Sequence, residues 1–116
     1  MLTWNVTYHC KSGQREAFYQ ALCQLGIRDS SMAEEGNLGY NYFFAAEVPD
    51  DLLLVESWTK PELQQAHCGT PIFAQLQAIK AQFCTGVDID KFMYSTRSVL
   101  AWLKTIITDF MASIFR

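Results

Sequence analysis

The sequence is short of positive charge and has no apolar run long enough to cross a membrane. Its 116 residues include 9 Lys and Arg against 12 Asp and Glu, which gives a formal net charge of −3. The basic residues are spread along the chain and form no stripe for a phosphate backbone, so we expect no nucleic-acid partner. The N-terminal segment lacks the basic flank and cleavage site of a signal peptide, and a cytoplasmic location is predicted.

Motifs for common cofactors are also missing. The sequence contains no Gly-rich dinucleotide loop, no phosphate-binding loop, no His/carboxylate metal set and no Ser-His-Asp candidate. Its four cysteines form no CxxC pair and have no His at zinc-finger spacing; they are Cys10, Cys23, Cys68 and Cys84. We therefore expect no metal, no bound cofactor and four reduced thiols that act as small apolar side chains.

Apolar and aromatic residues, by contrast, are abundant. Half of the residues are apolar and 14% are aromatic, a composition typical of one compact globular domain. A core of this size usually needs fewer aromatic side chains. Some of them are therefore predicted to line a pocket or a subunit interface.

Hydrophobic periodicity predicts a first strand and a first helix. Residues alternate from Leu2 to His9, with Leu2, Trp4, Val6 and Tyr8 on one face and Thr3, Asn5, Thr7 and His9 on the other. Helical spacing of apolar residues then predicts an amphipathic helix from about Gln14 to Ala33, weakened in its middle by Gly26.

The next part of the chain predicts a hairpin, two further helices and a last strand. Strands are predicted over 38–47 and 52–58, with a turn at 48–51. Thr59 and Glu62 predict a capping box for a short helix that ends near Gly69. Thr70 and Pro71 predict the start of another helix, with Ile72, Leu76, Ile79 and Phe83 along one stripe. A last strand is predicted over 86–94.

The resulting order, β-α-β-β-α-β, is the split βαβ arrangement of ferredoxin-like α+β folds. Both helices cover one face of the sheet, and the other face is left bare. Because both faces are predicted to be apolar, we expect a homodimer in which two sheets pack face to face.

Residues 95–116 form a predicted C-terminal extension, a strongly amphipathic helix. Its apolar side chains share one sector of a helical wheel: Val99, Leu100, Leu103, Ile106, Ile107, Phe110, Met111 and Ile114. A helix of about 20 residues with charges inside and beside it is not a membrane span. Two alternatives stay open: packing on its own or the partner subunit, or binding to a membrane surface or another protein.

Several short motifs occur within this topology. They are Glu56-Ser57-Trp58, His67, Thr70-Pro71-x-Phe73, Lys11-Ser12-Gly13 before the first helix, and Tyr40 in the second strand. Together, over residues 1–94, they resemble the antibiotic biosynthesis monooxygenase (ABM) family of dimeric α+β barrels. The extension from residue 95 is not part of that pattern.

The resemblance implies a cofactor-free monooxygenase that adds oxygen from O2 to a phenol, quinol or anthrone held between sheet and helices. Such a substrate reduces O2 itself once deprotonated, so the site needs an apolar cavity, a proton acceptor and polar groups that orient the anion. By the resemblance His67 is the acceptor. Asn5, a polar residue within a strand, is assigned to orientation of the substrate or its oxyanion. The substrate-binding residues are Trp58, Tyr40, Glu56 and Phe73.

Each assignment has a structural alternative. His67 suits the last turn of a helix through the helix dipole alone, and Asn5 could simply bond across the sheet. Trp58 and Tyr40 could be core aromatics with satisfied polar tips, and Glu56 a structural carboxylate. The alternative functions are a non-catalytic small-molecule-binding domain and an interaction module. A large closed cavity touching His67 would favour the enzyme. A cavity filled by Phe43, Phe44 or Phe73 would favour the binding domain.

Overall fold

A computed structural model describes the backbone of residues 1–94 and 96–114, and the side chains of residues 1–94 and 103–114. The four strands are β1 (Leu2–Cys10), β2 (Asn37–Phe44), β3 (Asp51–Trp58) and β4 (Cys84–Met93). They form one sheet in the order β2-β3-β1-β4, and every neighbouring pair is antiparallel. The ferredoxin-like α+β fold is confirmed.

In the part of the chain that the structure describes, five helices accompany the sheet: α1 (Arg15–Leu25), α2 (Ile27–Met32), α3 (Pro61–Cys68), α4 (Pro71–Phe83) and α5 (Thr96–Ile114). The single helix predicted from Gln14 to Ala33 is wrong, because α1 ends at Gly26. Gly26 has a φ of 74°, and its N–H donates to the carbonyls of Leu22 and Cys23. Only glycine adopts this left-handed conformation without cost, so it closes α1 and lets α2 start in a new direction.

The predicted N-cap of α4 is confirmed, whereas the predicted N-cap of α3 is wrong. Thr70 caps α4 as expected, its Oγ1 accepting a hydrogen bond of 3.3 Å from the N–H of Phe73. The capping box at Thr59 is wrong, because Lys60 is the N-cap of α3 and its side chain makes no capping bond. The backbone N–H of Thr59 instead donates to the carbonyl of Gly36 at 2.8 Å. That bond ties the turn after α2 to the start of α3.

The core lies between one face of the sheet and the helices. Phe18, Leu22 and Ile27 from α1 and α2, and Leu76 from α4, are buried against Val6, Tyr8, Tyr40, Leu52 and Leu54 of the sheet. Burial of each such large side chain contributes roughly 1.5–3 kcal/mol. The alternating burial of β3 shows that Leu52, Leu54, Glu56 and Trp58 all point toward the helices.

The opposite, open face of the sheet carries both polar and apolar side chains, so the expectation that both faces are apolar is wrong in part. Pairing across the strands puts polar and apolar residues side by side there: Asn5, Thr7, His9, Asp88 and Asp90 with Phe43, Leu53, Val55 and Phe92. On this face His9 joins three strands, since Nδ1 lies 2.7 Å from Asp51 and Nε2 lies 2.7 Å from Asp88.

The C-terminal helix predicted from the sequence is present as α5. Its apolar side chains from Leu103 to Ile114 are 41–64% exposed, so this part of α5 does not pack on the domain. The predicted Val99 and Leu100 lie outside the described side chains. No helix in the described part of the chain is both long and apolar enough to cross a membrane.

Candidate active site

His67 lies in the last turn of α3 and is almost fully buried, with 1% of its surface exposed. Three aromatic rings surround it. The ring centroid of Trp58 is 5.2 Å away, that of Phe73 is 5.4 Å away and that of Tyr40 is 5.7 Å away. The structure therefore brings together four of the residues predicted for the site, from α3, β3, α4 and β2.

A carboxylate orients the imidazole. The Nδ1–H of His67 donates to Oε2 of Glu34, in the turn after α2, over 2.8 Å. A carboxylate only accepts hydrogen bonds, so Nδ1 is the donor of this bond, and Nε2 is an acceptor whenever it carries no proton. Nε2 is buried and has no hydrogen-bond partner among the described residues. This arrangement of an oriented imidazole with a free ring nitrogen suits a general base.

Two further polar atoms of this aromatic cluster are buried without a well-formed hydrogen bond in the described part of the chain, Nε1 of Trp58 and the hydroxyl of Tyr40. The Tyr40 hydroxyl lies near those of Tyr42 and Ser31, whose influence lowers its pKa. Burial, followed by the charge of Glu56, raises the pKa of Tyr40 by more. Tyr40 therefore stays protonated at neutral pH and can donate to an anion. Buried polar atoms of this kind call for an explanation, and a bound ligand is one.

Glu56 is a buried acid beside this cluster, with 4% of its surface exposed. Burial raises the pKa of its carboxyl, and His67, Gln64 and Trp58 lower it by less. A carboxyl of raised pKa keeps its proton to a higher pH than an exposed glutamic acid does.

A cavity of about 70 Å³ lies between this face of the sheet and helices α3 and α4. Glu56, Tyr40 and Phe73 line it, together with apolar side chains of β1 and β4 and the polar Gln64, Gln77 and Lys80. His67 is not part of the lining, although its ring contacts two residues that are. The cavity is below the roughly 300 Å³ of typical ligand pockets, so the large closed cavity touching His67 is not found. Phe73 lines it, but Phe43 and Phe44 do not.

Asn5 lies apart from the cluster. It pairs with Val55 and Asp90, while its neighbours Trp4 and Val6 line the cavity. Because successive strand residues point to opposite faces, Asn5 is on the open face and cannot reach the surroundings of His67 within one subunit.

A second cavity, of about 180 Å³, lies between α1, α2 and β2 and contains none of the predicted residues. It is larger, but it has no buried carboxyl or imidazole. We favour the smaller cavity as the site because the buried Glu56 lines it and His67 packs against two of its lining residues. In the described part of the chain, no three His, Cys, Asp or Glu side chains are grouped so as to hold a metal ion.

Glu34 is the site residue that sequence reasoning missed. In the sequence, Glu34-Glu35-Gly36 reads as the end of a helix. Its contact with His67 spans 33 residues and depends on how the turn after α2 meets α3. No local pattern carries that information.

The fold of this chain, a four-stranded antiparallel sheet with helices on one face, is similar to that of several solved structures. A Bacteroides thetaiotaomicron protein of unknown function, named as a possible oxidoreductase, is 27% identical with a TM-score of 0.71, covering 80% of this chain and 96% of that one. PA3566 from Pseudomonas aeruginosa is 22% identical with a TM-score of 0.73, covering 82% and 94%. A Nitrosomonas europaea protein, provisionally named an antibiotic biosynthesis monooxygenase, is 20% identical with a TM-score of 0.73, covering 81% and 98%.

The sequence itself gives the family. The model of the family described as antibiotic biosynthesis monooxygenase matches residues 1–79. The chain belongs to this family, and the resemblance drawn from its motifs is confirmed. No curated protein matches the sequence significantly.

Proposed function

We propose that the protein is a cofactor-independent monooxygenase that acts on an electron-rich phenol, quinol or anthrone. The observation that carries this proposal is the bond between the partly buried Glu34 and the buried His67, whose Nε2 has no hydrogen-bond partner among the described residues and can accept a proton. Three aromatic rings enclose that imidazole. Proton abstraction is the step that lets such a substrate give electrons to O2.

The proposed reaction is written for an anthrone-type CH2 group. Nε2 of His67 takes one C–H proton, and the O–H of Tyr40 donates to the oxygen on which the negative charge gathers. The carbanion gives one electron to O2, and the two radicals combine into a C–O bond. The peroxide takes up a proton, then loses the second C–H proton as its O–O bond breaks. The CH2 group becomes C=O, and the other oxygen atom leaves as water.

The substrate is proposed to bind in the cavity lined by Tyr40, Glu56 and Phe73. An aromatic ring needs more room than about 70 Å³, so binding must move a side chain. Phe73 is the residue we select, since it lines the cavity and its ring centroid lies 5.4 Å from that of His67. Its displacement would open a path from the cavity to Nε2. Trp58 then contributes an indole N–H donor.

We also propose a homodimer that packs through the open faces of two sheets. The apolar residues of the open face supply part of that interface; they are Phe43, Leu53, Val55 and Phe92. A cytoplasmic location belongs to the same proposal, because Cys23 and Cys68 are exposed free thiols that persist in a reducing compartment.

The proposal is tested by oxygen uptake. Purified protein, treated with a chelator, is given a panel of anthrones and quinols, and O2 consumption and product mass are measured. We expect uptake above buffer and one oxygen atom from labelled O2 in the product. His67→Gln should lose this uptake. Its matched control is His9→Gln, which changes the other histidine, on the opposite face of the sheet, and should keep full turnover. No acceleration on any substrate would contradict the proposal.

The small cavity, with His67 outside its lining, favours one other candidate, a non-catalytic domain that binds a small aromatic molecule. Calorimetry on the same panel separates the two. Binding of a substrate without O2 uptake would support the binding domain.

A further inference from the structure

Two of the four cysteines face each other across neighbouring strands. Cys10, at the end of β1, is the register partner of Cys84, the first residue of β4. Side chains of directly opposed residues point to the same face of a sheet. Here that face is the one covered by helices, where Cys10 belongs to the buried core and Cys84 packs against it.

The backbone hydrogen bonds define which kind of pair this is. The N–H of Lys11 donates to the carbonyl of Phe83 at 2.8 Å, while the N–H of Cys10 turns the other way and donates to Asp50 at 2.8 Å. Cys10 and Cys84 pair directly after a register shift between His9 and Cys10. The bond from Lys11 to Phe83 makes them a non-hydrogen-bonded pair, and in a regular antiparallel ladder the Cα atoms of such a pair are about 4.5 Å apart. A disulfide needs a Cα separation of roughly 4.4–6.8 Å.

The two thiols are close enough to influence each other. Burial raises the pKa of both; Cys84 then lowers the pKa of Cys10, whereas Cys10 raises that of Cys84, which reaches about 12. The nearby charged groups that also act on the pair are Asp50, Asp51 and Arg15 around Cys10, and Lys80 and Lys11 around Cys84.

We propose that Cys10 and Cys84 form a redox-sensitive dithiol that closes into a cross-strand disulfide when a small-molecule disulfide oxidises it. No motif predicts this pairing, since the two cysteines are 74 positions apart in the sequence. The fold alone places them together, and all four cysteines had been expected to act as separate apolar side chains.

The oxidant is a low-molecular-weight disulfide such as glutathione disulfide. The half-buried Cys84 sulfur attacks it, releases one thiol and forms a mixed disulfide. Cys10 then attacks the Cys84 sulfur and displaces the second thiol. Two electrons and two protons pass from the protein dithiol to the oxidant, which is reduced to two thiols. The first step needs a thiolate, so the reaction is slow at neutral pH and faster in alkali.

The bond joins the end of β1 to the junction of α4 and β4. Tyr8, Lys80 and Val87, which lie close to it in sequence, line the cavity of about 70 Å³. Closing a loop of this length restricts the unfolded chain strongly. The oxidised protein should therefore melt about 5–15 °C higher than the reduced protein.

The test uses a Cys23→Ser/Cys68→Ser variant, which removes the two exposed thiols and leaves the pair. The protein is equilibrated in glutathione buffers of increasing oxidised fraction at pH 8.5. We expect intact mass to fall by two hydrogens, free thiols to fall from two to none, and a proteolytic fragment to link residues 10 and 84. The matched control adds Cys84→Ser, which should show no cross-link and no rise in melting temperature.

Three results would overturn the proposal: two free thiols that persist in fully oxidised buffer, stable glutathione adducts without the cross-link, or a disulfide only between chains. A cross-link in the folded protein that lowers its melting temperature would contradict the geometry argued from the strand pairing.

Discussion

The Nδ1 atom of His67 lies 2.8 Å from Oε2 of Glu34, a residue 33 positions earlier in the chain. The bond fixes the tautomer of the imidazole and points its other nitrogen into a ring cluster. Without Glu34 the same histidine could carry its proton on either nitrogen. The pair is therefore more informative about chemistry than the histidine alone.

Glu34→Gln tests this relationship. The amide keeps the size of the side chain but can donate to Nδ1, which favours the wrong tautomer. We expect kcat to fall about 100-fold or more, with little change in KM, since general-base steps are worth about 10²–10⁴-fold. The matched control is Glu35→Gln, at the adjacent exposed position. Steady-state kinetics of both variants test this prediction. Equal kcat values for Glu34→Gln and Glu35→Gln would show that Glu34 has no part in the mechanism.

Glu56→Gln tests the buried acid through stability. Burial raises the folded-state pKa of this carboxyl, so the folded protein prefers it protonated. Its contribution to stability is present below the unfolded pKa of about 4.3 and is lost as pH rises through the folded pKa. We therefore expect the melting temperature of Glu56→Gln, compared with the wild type, to rise between pH 4 and pH 8. A difference that stays constant with pH would contradict a raised pKa.

Asn5→Ala tests the separation of the two faces. Asn5 lies on the open face, away from the cavity residues. Turnover should change less than about threefold, whereas His67→Gln should lose about 10²–10⁴-fold. Melting curves of both variants confirm that they are folded. A loss in Asn5→Ala as large as that in His67→Gln would mean that the open face takes part in the reaction.

A chain ending at Tyr94 tests the domain boundary and the dimer together. We propose that residues 1–94 fold without the extension, since the described side chains of α5 are exposed. Light scattering of the full chain should give about 26 kDa, twice the 13.2 kDa of one chain. The shortened chain should also be a dimer. A monomer only after truncation would place the subunit contact on α5 instead of the sheet.

Strand alternation and turn residues were enough to predict the four strands and their order along the chain, because these signals are local. The break at Gly26 was underestimated, since a glycine inside an apolar stripe is also compatible with a continuous helix. The contact residues of His67 followed from family motifs. The partner Glu34 and the opposite orientation of Asn5 did not, because both depend on how distant segments pack.

Burial of His67 decides which replacement suits an activity test. A helix-terminal histidine contributes about 0.3–1 kcal/mol through the dipole when it is exposed. With 1% of its surface exposed, the ring fills space among three aromatic side chains. Its removal leaves a cavity that costs about 2–4 kcal/mol. Gln, which fills more of the volume, is therefore the better replacement in activity tests.

The central claim is that His67 removes the proton that starts the reaction, and an anaerobic experiment tests it most directly. An anthrone that the protein oxidises is mixed with it without O2 at pH 7, and formation of the coloured anion is followed by stopped-flow absorbance. The wild type should form the anion rapidly, and His67→Gln should form it at the rate of buffer. Anion formation at the wild-type rate in folded His67→Gln would contradict the account.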